Sequence, residues 1–264
     1  MSKKKAYVVG ANASKSLSPL IFNYWFNKYK VEGEYNYIEI KEEKFDKEIK
    51  GVFNEEGLCG LNITIPFKEK IIPHLKLIDK HSKLIGAVNC VNIKNKLTEG
   101  TNTDWIGFTK SIKKTKKNNV AIVLGYGGSA KAIIYSLILT GFKEIRVFNR
   151  SFDKIKNLKN IIPHKLNELD KHYLSADIII NTIPKDLVNK LINKKLIENY
   201  NKKETGHGFD IVYNQPTLFL ENFKPSRRIY GVEMLAHQAA PCFFNWFGIL
   251  PEIDDKLINM LMKS

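Results

Sequence analysis

The chain has 264 residues, of which 44% are hydrophobic, and a formal net charge of +15. This length suits one large or two modest domains, and typical domain size favours two. No apolar run of about 18 residues predicts a transmembrane helix, and "MSKKKAYVVG" lacks the apolar core of a signal peptide, so we expect a cytoplasmic protein with no membrane partner. Three isolated cysteines, and histidines without H-x-x-x-H spacing, predict no disulfide framework and no metal site.

The first hundred residues alternate between strand-like and helix-like patterns. Strands are predicted at 5–10, 35–40 and 58–65, and helices at 18–29 and 44–54. Ser18 is the expected N-cap of the first helix, with Pro19 at its first helical position. Two short runs around Asn95 predict a hairpin within 86–104. This order predicts an α/β layer with a mostly parallel sheet.

The stretch "LNITIPFKEK", 61 to 70, carries the first candidate catalytic group. Its alternation predicts a half-buried strand that presents Asn62 and Thr64 on the polar side. Pro66 is expected to stop this strand, and Lys68 follows it. Lys68 is either an ordinary loop lysine or a positioned acid or base.

The second half begins after the lysine cluster "KKTKKNN" at 113–119. Residues 120–150 predict a buried strand, a glycine-rich turn, a helix closed by Gly141 and a second strand. Further strands are predicted at 176–183 and 207–213, and an aromatic-rich helical segment from about Gly231 that packs back on the first half. We therefore expect an N-terminal α/β domain at 1–105, a Rossmann-like domain at 106–230 and C-terminal helices at 231–264.

The turn with Gly125, Gly127 and Gly128 joins the strand "VAIVL" to the helix "SAKAIIYSLILT". Missing side chains let a backbone approach a pyrophosphate, and the helix N-terminus supplies N–H donors and partial positive charge. Because the turn lies within a βαβ pattern, it predicts a dinucleotide site. The alternative is a tight structural turn.

The end of the next strand indicates which dinucleotide is bound. NAD sites usually carry an acidic residue there, whereas this chain has Asn149, Arg150 and Ser151, with Lys154 one turn later. A guanidinium binds a 2′-phosphate with two parallel hydrogen bonds. The pattern therefore favours NADP.

Polar residues in the first half form four clusters that together predict a pocket for a polyhydroxylated acid. They are Ser16 and Ser18; Asn62, Thr64 and Lys68; Asn89; and Asn102, Thr103 and Asp104. Taken singly, each cluster also fits an ordinary cap or turn.

The ordered motifs resemble the shikimate dehydrogenase family over essentially the whole chain. They read "SLSP", "NITIPFK", "GAVNC", "NTDWIG", "GYGGSA", "NRS", "DIVY" and "GVEMLAHQAA". The family's usual GAVNT ends here in Cys90, and a carboxylate that the family often carries on the helix after the lysine is replaced by Lys80, beside Asp79.

The resemblance implies a role for each matching residue. Ser16 and Ser18 would bind the substrate carboxylate, and Lys68 with Asp104 would be catalytic. The remaining substrate contacts would be Thr64, Asn89, Asp104, Tyr213 and Gln238, with Asn62 lining the site. The pyrophosphate would lie on Gly125, Tyr126, Gly127, Gly128 and Ser129. The 2′-phosphate would lie on Asn149, Arg150, Ser151 and Lys154, and the nicotinamide beside Ile211 and Gly231.

The implied reaction is reversible reduction of 3-dehydroshikimate to shikimate by NADPH, in the pathway to chorismate and the aromatic amino acids. The nearest alternative is a dehydrogenase acting on quinate as well, with relaxed cofactor use. A folate-linked methylene dehydrogenase would not need the two serines or the NTD segment. A non-catalytic nucleotide- or nucleic-acid-binding protein fits the net charge, but the lysines are scattered and no recognition module accompanies them, so we expect no nucleic-acid partner. A homodimer is left open.

Overall fold

The computed structural model describes residues 3–112, 119–155, 160–192, 194–203, 206–213 and 217–264. It divides the chain into two compact units, one formed by Met1–Gly107 with Leu235–Ser264 and the other by Phe108–Met234. The sequence placed these divisions after residues 105 and 230. Of the lysine cluster at 113–119, all but the last residue lies outside the described residues.

The first unit is built on a mixed six-stranded sheet, which makes it an α/β unit. Its strands are β1 (Lys5–Gly10), β2 (Glu34–Glu39), β3 (Leu58–Ile63), β4 (Leu77–Ile78), β5 (Cys90–Lys94) and β6 (Leu97–Thr101). The order across the sheet is β2-β1-β3-β5-β6-β4. β1 pairs in parallel with β2 and β3, and β4 with β6, whereas β5 runs antiparallel to both neighbours. The hairpin between β5 and β6 turns on Asn95 and Lys96, both with positive φ, as a two-residue hairpin turn requires.

Among the described residues, six α-helices accompany this sheet, and two of them contain the positions at which the chain divides into the two units. They are α1 (Ser18–Tyr29), α2 (Phe45–Val52), α3 (Lys80–Ile85), α4 (Asp104–Ser111), α9 (Gly231–Phe247) and α10 (Asp255–Lys263). The division of the chain falls within α4 and within α9. Asp79, next to the departure at Lys80, caps α3 by accepting a hydrogen bond from the Ser82 N–H at 2.8 Å.

Two local expectations for the first unit are wrong. β3 ends at Ile63 and has both faces buried, since Asn62 on the expected polar side is only 5% exposed, whereas Ile65 is 71% exposed. The strand is not half-buried because other parts of this unit cover its polar face. Leu17, not Ser18, is the N-cap of α1, and Ser18 is already helical. The Ser16 hydroxyl instead accepts a hydrogen bond from the Ser18 N–H at 3.2 Å and so supplies the cap from two residues upstream.

The C-terminal helices pack against the first hundred residues through aromatic side chains. Phe22 of α1 stacks on Tyr35 of β2 with ring centroids 3.8 Å apart, and the ring centroid of Phe243 of α9 lies 5.6 Å from that of Phe22. Such aromatic contacts bury large apolar areas and contribute beyond area alone. They explain why Leu235–Ser264 belongs to the first unit although it is distant in sequence.

Asp254 attaches α10 to α1. Its carboxylate caps α10 through the Leu257 N–H at 2.8 Å and accepts hydrogen bonds from Lys28 at 2.6 Å and from Tyr24. Burial by itself raises the pKa of this carboxyl group, but the donors from Lys28, Leu257 and Tyr24 outweigh it and lower the pKa to about 2. Asp254 therefore stays mostly ionised in the folded chain at lower pH than an ordinary aspartate does.

The second unit contains a parallel six-stranded sheet in the doubly wound order of Rossmann-like folds. Its strands are β7 (Val120–Leu124), β8 (Glu144–Asn149), β9 (Ile161–Lys165), β10 (Ile178–Asn181), β11 (His207–Asp210) and β12 (Arg228–Tyr230). They lie in the order β9-β8-β7-β10-β11-β12, and all five pairings are parallel. Successive strands are added towards one side of the sheet from β7 to β9 and towards the other side from β10 to β12. The switch lies between β7 and β10, which is where such folds bind dinucleotides.

Helices of the second unit are α5 (Gly128–Leu139), α6 (Lys185–Leu191), α7 (Lys194–Asn201) and α8 (Leu218–Glu221). The sequence patterns missed two strands of its sheet. β9 contains Pro163, which weakens any strand prediction but is tolerated because β9 is an edge strand. β12 has only three residues, too few for a periodicity.

The described helices include none that is long and apolar enough to cross a membrane.

Candidate active site

Four polar segments of the first unit meet at one edge of its sheet because of the strand directions. β1 and β3 are parallel, so the segments that follow Gly10 and Ile63 leave the sheet at the same edge. β5 runs antiparallel to β3 and β6 antiparallel to β5, with Asn62 opposite Cys90 and Cys90 opposite Thr101. The start of β5 and the end of β6 therefore lie at this edge too.

Lys68 and Asp104 form a short ion pair at this edge. The Lys68 ammonium donates to the Asp104 carboxylate with an Nζ–Oδ2 distance of 2.6 Å. Their side chains are 13% and 6% exposed, so the pair lies where water screens charge poorly. Lys68 lies in the turn after β3, and its backbone carbonyl accepts a hydrogen bond from the Val88 N–H at 2.8 Å, which fixes the position of its backbone.

Asn89 holds the free oxygen of Asp104. Its Nδ2 donates to Asp104 Oδ1 at 2.8 Å and to Gln238 Oε1 of α9 at 3.0 Å, and its Oδ1 accepts from the Thr103 N–H at 2.6 Å. Asn102 Oδ1 also accepts a hydrogen bond from the Asp104 backbone N–H at 3.0 Å. Both carboxylate oxygens of Asp104 are thus bound, and its position is fixed from several sides.

Asn62 stands behind Asn89. Its Nδ2 donates to the Asn89 backbone carbonyl at 3.2 Å and to Cys242 Sγ at 3.3 Å, and its Oδ1 accepts from the Tyr35 hydroxyl at 2.7 Å. Because these contacts occupy both ends of the amide, Asn62 is placed to orient Asn89.

Ser16, Ser18 and Thr64 supply hydroxyl groups at the same edge. Ser16 Oγ lies 3.1 Å from Ser18 Oγ, just before and within the first turn of α1. Thr64 is held by its backbone N–H, which donates to the Val9 carbonyl at 2.9 Å. Among the described residues, the Thr64 hydroxyl has no hydrogen-bond partner. Gly10 lies so close to the Thr64 methyl group that a Cβ there would collide with it.

The second unit places its glycine turn where the strand order reverses. Gly125 has φ of +106°, and a Cβ on it would lie 2.5 Å from Thr182 Oγ1, so only glycine fits. At Gly127, by contrast, a Cβ would meet no atom within 4 Å. Open space therefore lies next to the N-terminus of the 12-residue helix α5, and this arrangement fits a pyrophosphate.

The turn after β8 presents cationic side chains. Asn149 Nδ2 donates to the Ser151 carbonyl at 3.3 Å, and this carbonyl also accepts the Lys154 N–H at 3.2 Å. The side chains of Arg150 and Lys154 are exposed and form no ion pair with any described residue. Two cations are thus available to a ligand anion at the end of β8.

A buried carboxylate at the end of β11 fixes the segment that follows this strand, at the carboxyl edge of the second sheet. Asp210 accepts hydrogen bonds from Asn181 Nδ2, from the Val212 N–H and from Thr217 Oγ1. Burial raises the pKa of Asp210 in spite of these donors. Gly231 packs tightly here, since a Cβ on it would lie 2.8 Å from the Ile211 carbonyl oxygen.

Comparisons with known proteins agree with this geometry. A family model described as the shikimate dehydrogenase substrate binding domain matches residues 8–91, and one described as shikimate / quinate 5-dehydrogenase matches residues 108–213. A shikimate dehydrogenase (NADP(+)) of Caldicellulosiruptor saccharolyticus is 32% identical over 98% of this chain and 98% of its own length. The corresponding protein of Pelagibacter ubique is 35% identical over 98% of this chain and 99% of its own.

The chain belongs to the shikimate dehydrogenase family. Among solved structures, the shikimate 5-dehydrogenase of Thermus thermophilus in complex with NADP(H) and shikimate matches with a TM-score of 0.77 and 25% identity. The match covers 98% of each chain. The family resemblance expected from the ordered motifs is therefore confirmed.

The expected site residues of this family member fall into two groups, one in each unit. In the first unit, one hydrogen-bonded network joins Lys68, Asp104, Asn89, Gln238 and Asn62, and Ser16, Ser18 and Thr64 lie at the same sheet edge. In the second unit, the carboxyl edge of the sheet carries Gly125, Tyr126, Gly127, Gly128, Ser129, Asn149, Arg150, Ser151, Lys154, Ile211, Tyr213 and Gly231.

Sequence reasoning missed three members of the first network. Tyr35 was assigned only to a strand, Thr103 was noted but given no role, and Cys242 was treated as an isolated cysteine. Tyr35 and Cys242 carry no sequence signal, because their roles depend on contacts across 27 and 180 positions of the chain. Among the described residues, no group of three His, Cys, Asp or Glu side chains is placed to hold a metal ion.

Proposed function

We propose that this chain is an NADP-dependent shikimate dehydrogenase that reversibly reduces 3-dehydroshikimate to shikimate, in the pathway to chorismate and the aromatic amino acids. The observation that carries the proposal is the Lys68–Asp104 pair, 2.6 Å long and largely buried, in a chain whose full-length relatives are named shikimate dehydrogenase (NADP(+)).

Lys68 acts as the proton donor to the substrate ketone and as the acceptor in the reverse direction. When NADPH is bound, it supplies the hydride that the ketone carbon accepts. Negative charge then grows on the ketone oxygen, and the Lys68 ammonium stabilises that charge and donates its proton. A lysine in a turn whose backbone is held by a hydrogen bond from Val88 loses less conformational freedom in this step than a lysine in a free loop.

Asp104 positions Lys68 and bonds the reacting hydroxyl. Its carboxylate holds the ammonium at 2.6 Å, and Asn89 holds the other carboxylate oxygen at 2.8 Å. Gln238 and Asn62 in turn fix Asn89, and both are buried. This arrangement keeps the pair in place before the substrate arrives, which lowers the reorganisation needed during the reaction.

The hydroxyl groups near α1 bind the rest of the substrate. Ser16 and Ser18 bind the carboxylate, at a helix start where backbone N–H groups and partial positive charge favour an anion. Thr64, whose hydroxyl has no partner among the described residues, bonds a ring hydroxyl. Tyr213 of the second unit stays a predicted substrate contact.

The second unit holds the dinucleotide. The open space at Gly127 and the N-terminus of α5 take the pyrophosphate, while Gly231 and Ile211 adjoin the nicotinamide. Arg150 and Lys154 take the 2′-phosphate, because no carboxylate neutralises them within the described residues. NADP is therefore preferred over NAD.

Initial rates with four substrate pairs test this function. Purified enzyme is assayed with shikimate or quinate, each with NADP or NAD. The proposal expects the highest kcat/KM for shikimate with NADP. Comparable rates on quinate would support the broader alternative, which the description shikimate / quinate 5-dehydrogenase of the matching family model allows. Absence of dehydrogenase activity with tight, salt-sensitive DNA binding would support the nucleic-acid alternative instead.

Two further expectations accompany this function. The three cysteines are free thiols, which suits the reducing cytoplasm. A homodimer is the oligomeric state to test, by sedimentation of the purified chain.

A further inference from the structure

Lys165 lies beside the turn that is proposed to bind the 2′-phosphate. It is the last residue of β9, and its backbone is in register with Asn149, the last residue of β8. Since β8 and β9 are parallel, both residues leave the sheet at the carboxyl edge. Lys165 thus stands next to the segment that carries Arg150 and Lys154.

Phe152 holds the Lys165 side chain over this turn. The Lys165 Nζ lies 5.2 Å from the centroid of the Phe152 ring, at a distance typical of a cation–π contact. Phe152 belongs to the same turn, between Arg150 and Lys154, and its ring is 36% exposed. The contact therefore directs the ammonium towards the turn.

The Lys165 ammonium forms no ion pair with any described residue. The Glu168 carboxylate accepts a hydrogen bond from the Lys165 backbone N–H at 2.9 Å, and this bond, together with a weaker contribution from the Lys165 charge, lowers the pKa of Glu168. Asp153, in the turn itself, also forms no ion pair with any described residue. Three cationic side chains thus stand at one strand edge with their charge uncompensated by ion pairs, an arrangement that favours a divalent anion.

We propose that Lys165 is a third residue that contacts the adenosine 2′-phosphate, together with Arg150 and Lys154, and that Phe152 positions it. The inference rests on the proposed use of NADP and deepens it by naming a specificity residue on the edge strand. Lys165 contributes to the preference for a 2′-phosphate over a 2′-hydroxyl. It does not contribute to binding of the part of the dinucleotide that NAD and NADP have in common.

Calorimetric binding of two small nucleotides tests this inference without catalysis. The probes are adenosine 2′,5′-bisphosphate and adenosine 5′-monophosphate, which differ only in the 2′-phosphate. Lys165→Ala is expected to raise Kd for the bisphosphate about tenfold, as expected for one charge-assisted contact, and to leave Kd for the monophosphate within about twofold. Lys165→Arg, which keeps the charge, should restore most of the affinity, and Phe152→Leu should raise Kd for the bisphosphate about threefold.

The matched control is Lys143→Ala, because Lys143 is an exposed lysine just before β8, at the opposite end of the same strand. It should change neither Kd. Arg150→Ala serves as the positive control and should raise Kd for the bisphosphate at least as much as Lys165→Ala does.

The outcomes separate this inference from the proposed function. If Lys165→Ala binds the bisphosphate like wild type while Arg150→Ala does not, Lys165 has no role and NADP use stands. Equal losses for both nucleotides in Lys165→Ala would also overturn the inference, since they would indicate a general effect. If wild-type protein binds both nucleotides equally, the NADP assignment fails and the inference fails with it. An unchanged Kd for the bisphosphate in Phe152→Leu would show that the Phe152 ring does not position Lys165.

Discussion

Replacing Lys68 by alanine removes the proposed proton donor while leaving the surrounding network in place. The Lys68 side chain is 13% exposed, and its Nζ lies 2.6 Å from Asp104 Oδ2 in an ion pair. Loss of a general acid costs about 10²- to 10⁴-fold in rate, and loss of a charge that stabilises the oxyanion costs about 10²- to 10³-fold. Because one ammonium supplies both effects, they overlap, and we expect kcat to fall about 10³- to 10⁴-fold.

The same substitution leaves the Asp104 carboxylate without its cation. Asp104 keeps the hydrogen bond from Asn89 at 2.8 Å, so the carboxylate stays partly satisfied. Breaking a buried pair by removing one partner costs about 3–5 kcal/mol. Since Lys68 is not fully buried and Asn89 remains, we expect a smaller loss of about 1–3 kcal/mol in the free energy of unfolding.

Steady-state kinetics with shikimate and NADP, together with urea unfolding, measure both effects. Lys70→Ala is a matched control, because Lys70 pairs with Glu42 at a similar distance of 2.7 Å but both side chains are largely exposed. It should leave kcat and stability almost unchanged. The KM for shikimate should change within about threefold in Lys68→Ala, since the loss concerns the transition state. A Lys68→Ala variant that folds and keeps its kcat would refute the assignment.

Three other predictions concern the cofactor turn and the C-terminal helix. Arg150→Ala should raise the KM for NADPH by about 30-fold or more and that for NADH by less than about threefold, and equal changes would contradict the 2′-phosphate role. Gly125→Ala should lower the free energy of unfolding by more than about 2 kcal/mol, because the φ of +106° at Gly125 and the nearby Thr182 exclude a Cβ. Gly127→Ala should change the free energy of unfolding by less than about 1 kcal/mol and still raise the KM for NADPH, because a Cβ there fits the fold but occupies the open space at the turn. Equal destabilisation of the two glycine variants in urea would be inconsistent with this geometry. Asp254→Asn keeps the helix cap but loses the charge. The folded pKa of Asp254, about 2, lies below the usual 3.8, so the wild type should be more stable than the variant by about 1 kcal/mol at neutral pH. This difference in stability should vanish as the pH falls from about 4 to 2. A difference that does not depend on pH in thermal melts would point to another cause.

Periodicity and turn residues predicted the α/β architecture from the sequence. The hydrophobic run at 120–124 and the glycine turn identified the βαβ unit, because a buried parallel strand and a Gly-rich turn are each distinctive there. Asn95 marked the hairpin for a similar local reason.

The missed elements lack a local signal. β9 was missed because Pro163 argues against a strand unless the strand lies at a sheet edge, and edge position is decided by the fold. The expected half-burial of β3 was wrong because Tyr35 and Cys242, far away in sequence, cover Asn62. Burial of a strand face depends on what packs against it.

The meeting of Lys68 and Asp104 could be inferred from the ordered motifs but not from either segment alone. Their contact depends on the antiparallel course of β5 and β6, which brings the end of β6 back to the end of β3. The sequence suggested the hairpin, and the structure adds the register that aligns the two side chains at 2.6 Å.

Formation of NADPH from shikimate and NADP tests the central claim most directly. Purified protein is mixed with both substrates, and the absorbance of NADPH is followed against a reaction without shikimate. The account predicts shikimate-dependent NADPH formation with a turnover of roughly 1–10³ s⁻¹, the usual range for enzymes. A folded protein that binds NADP but forms no NADPH from shikimate would contradict it.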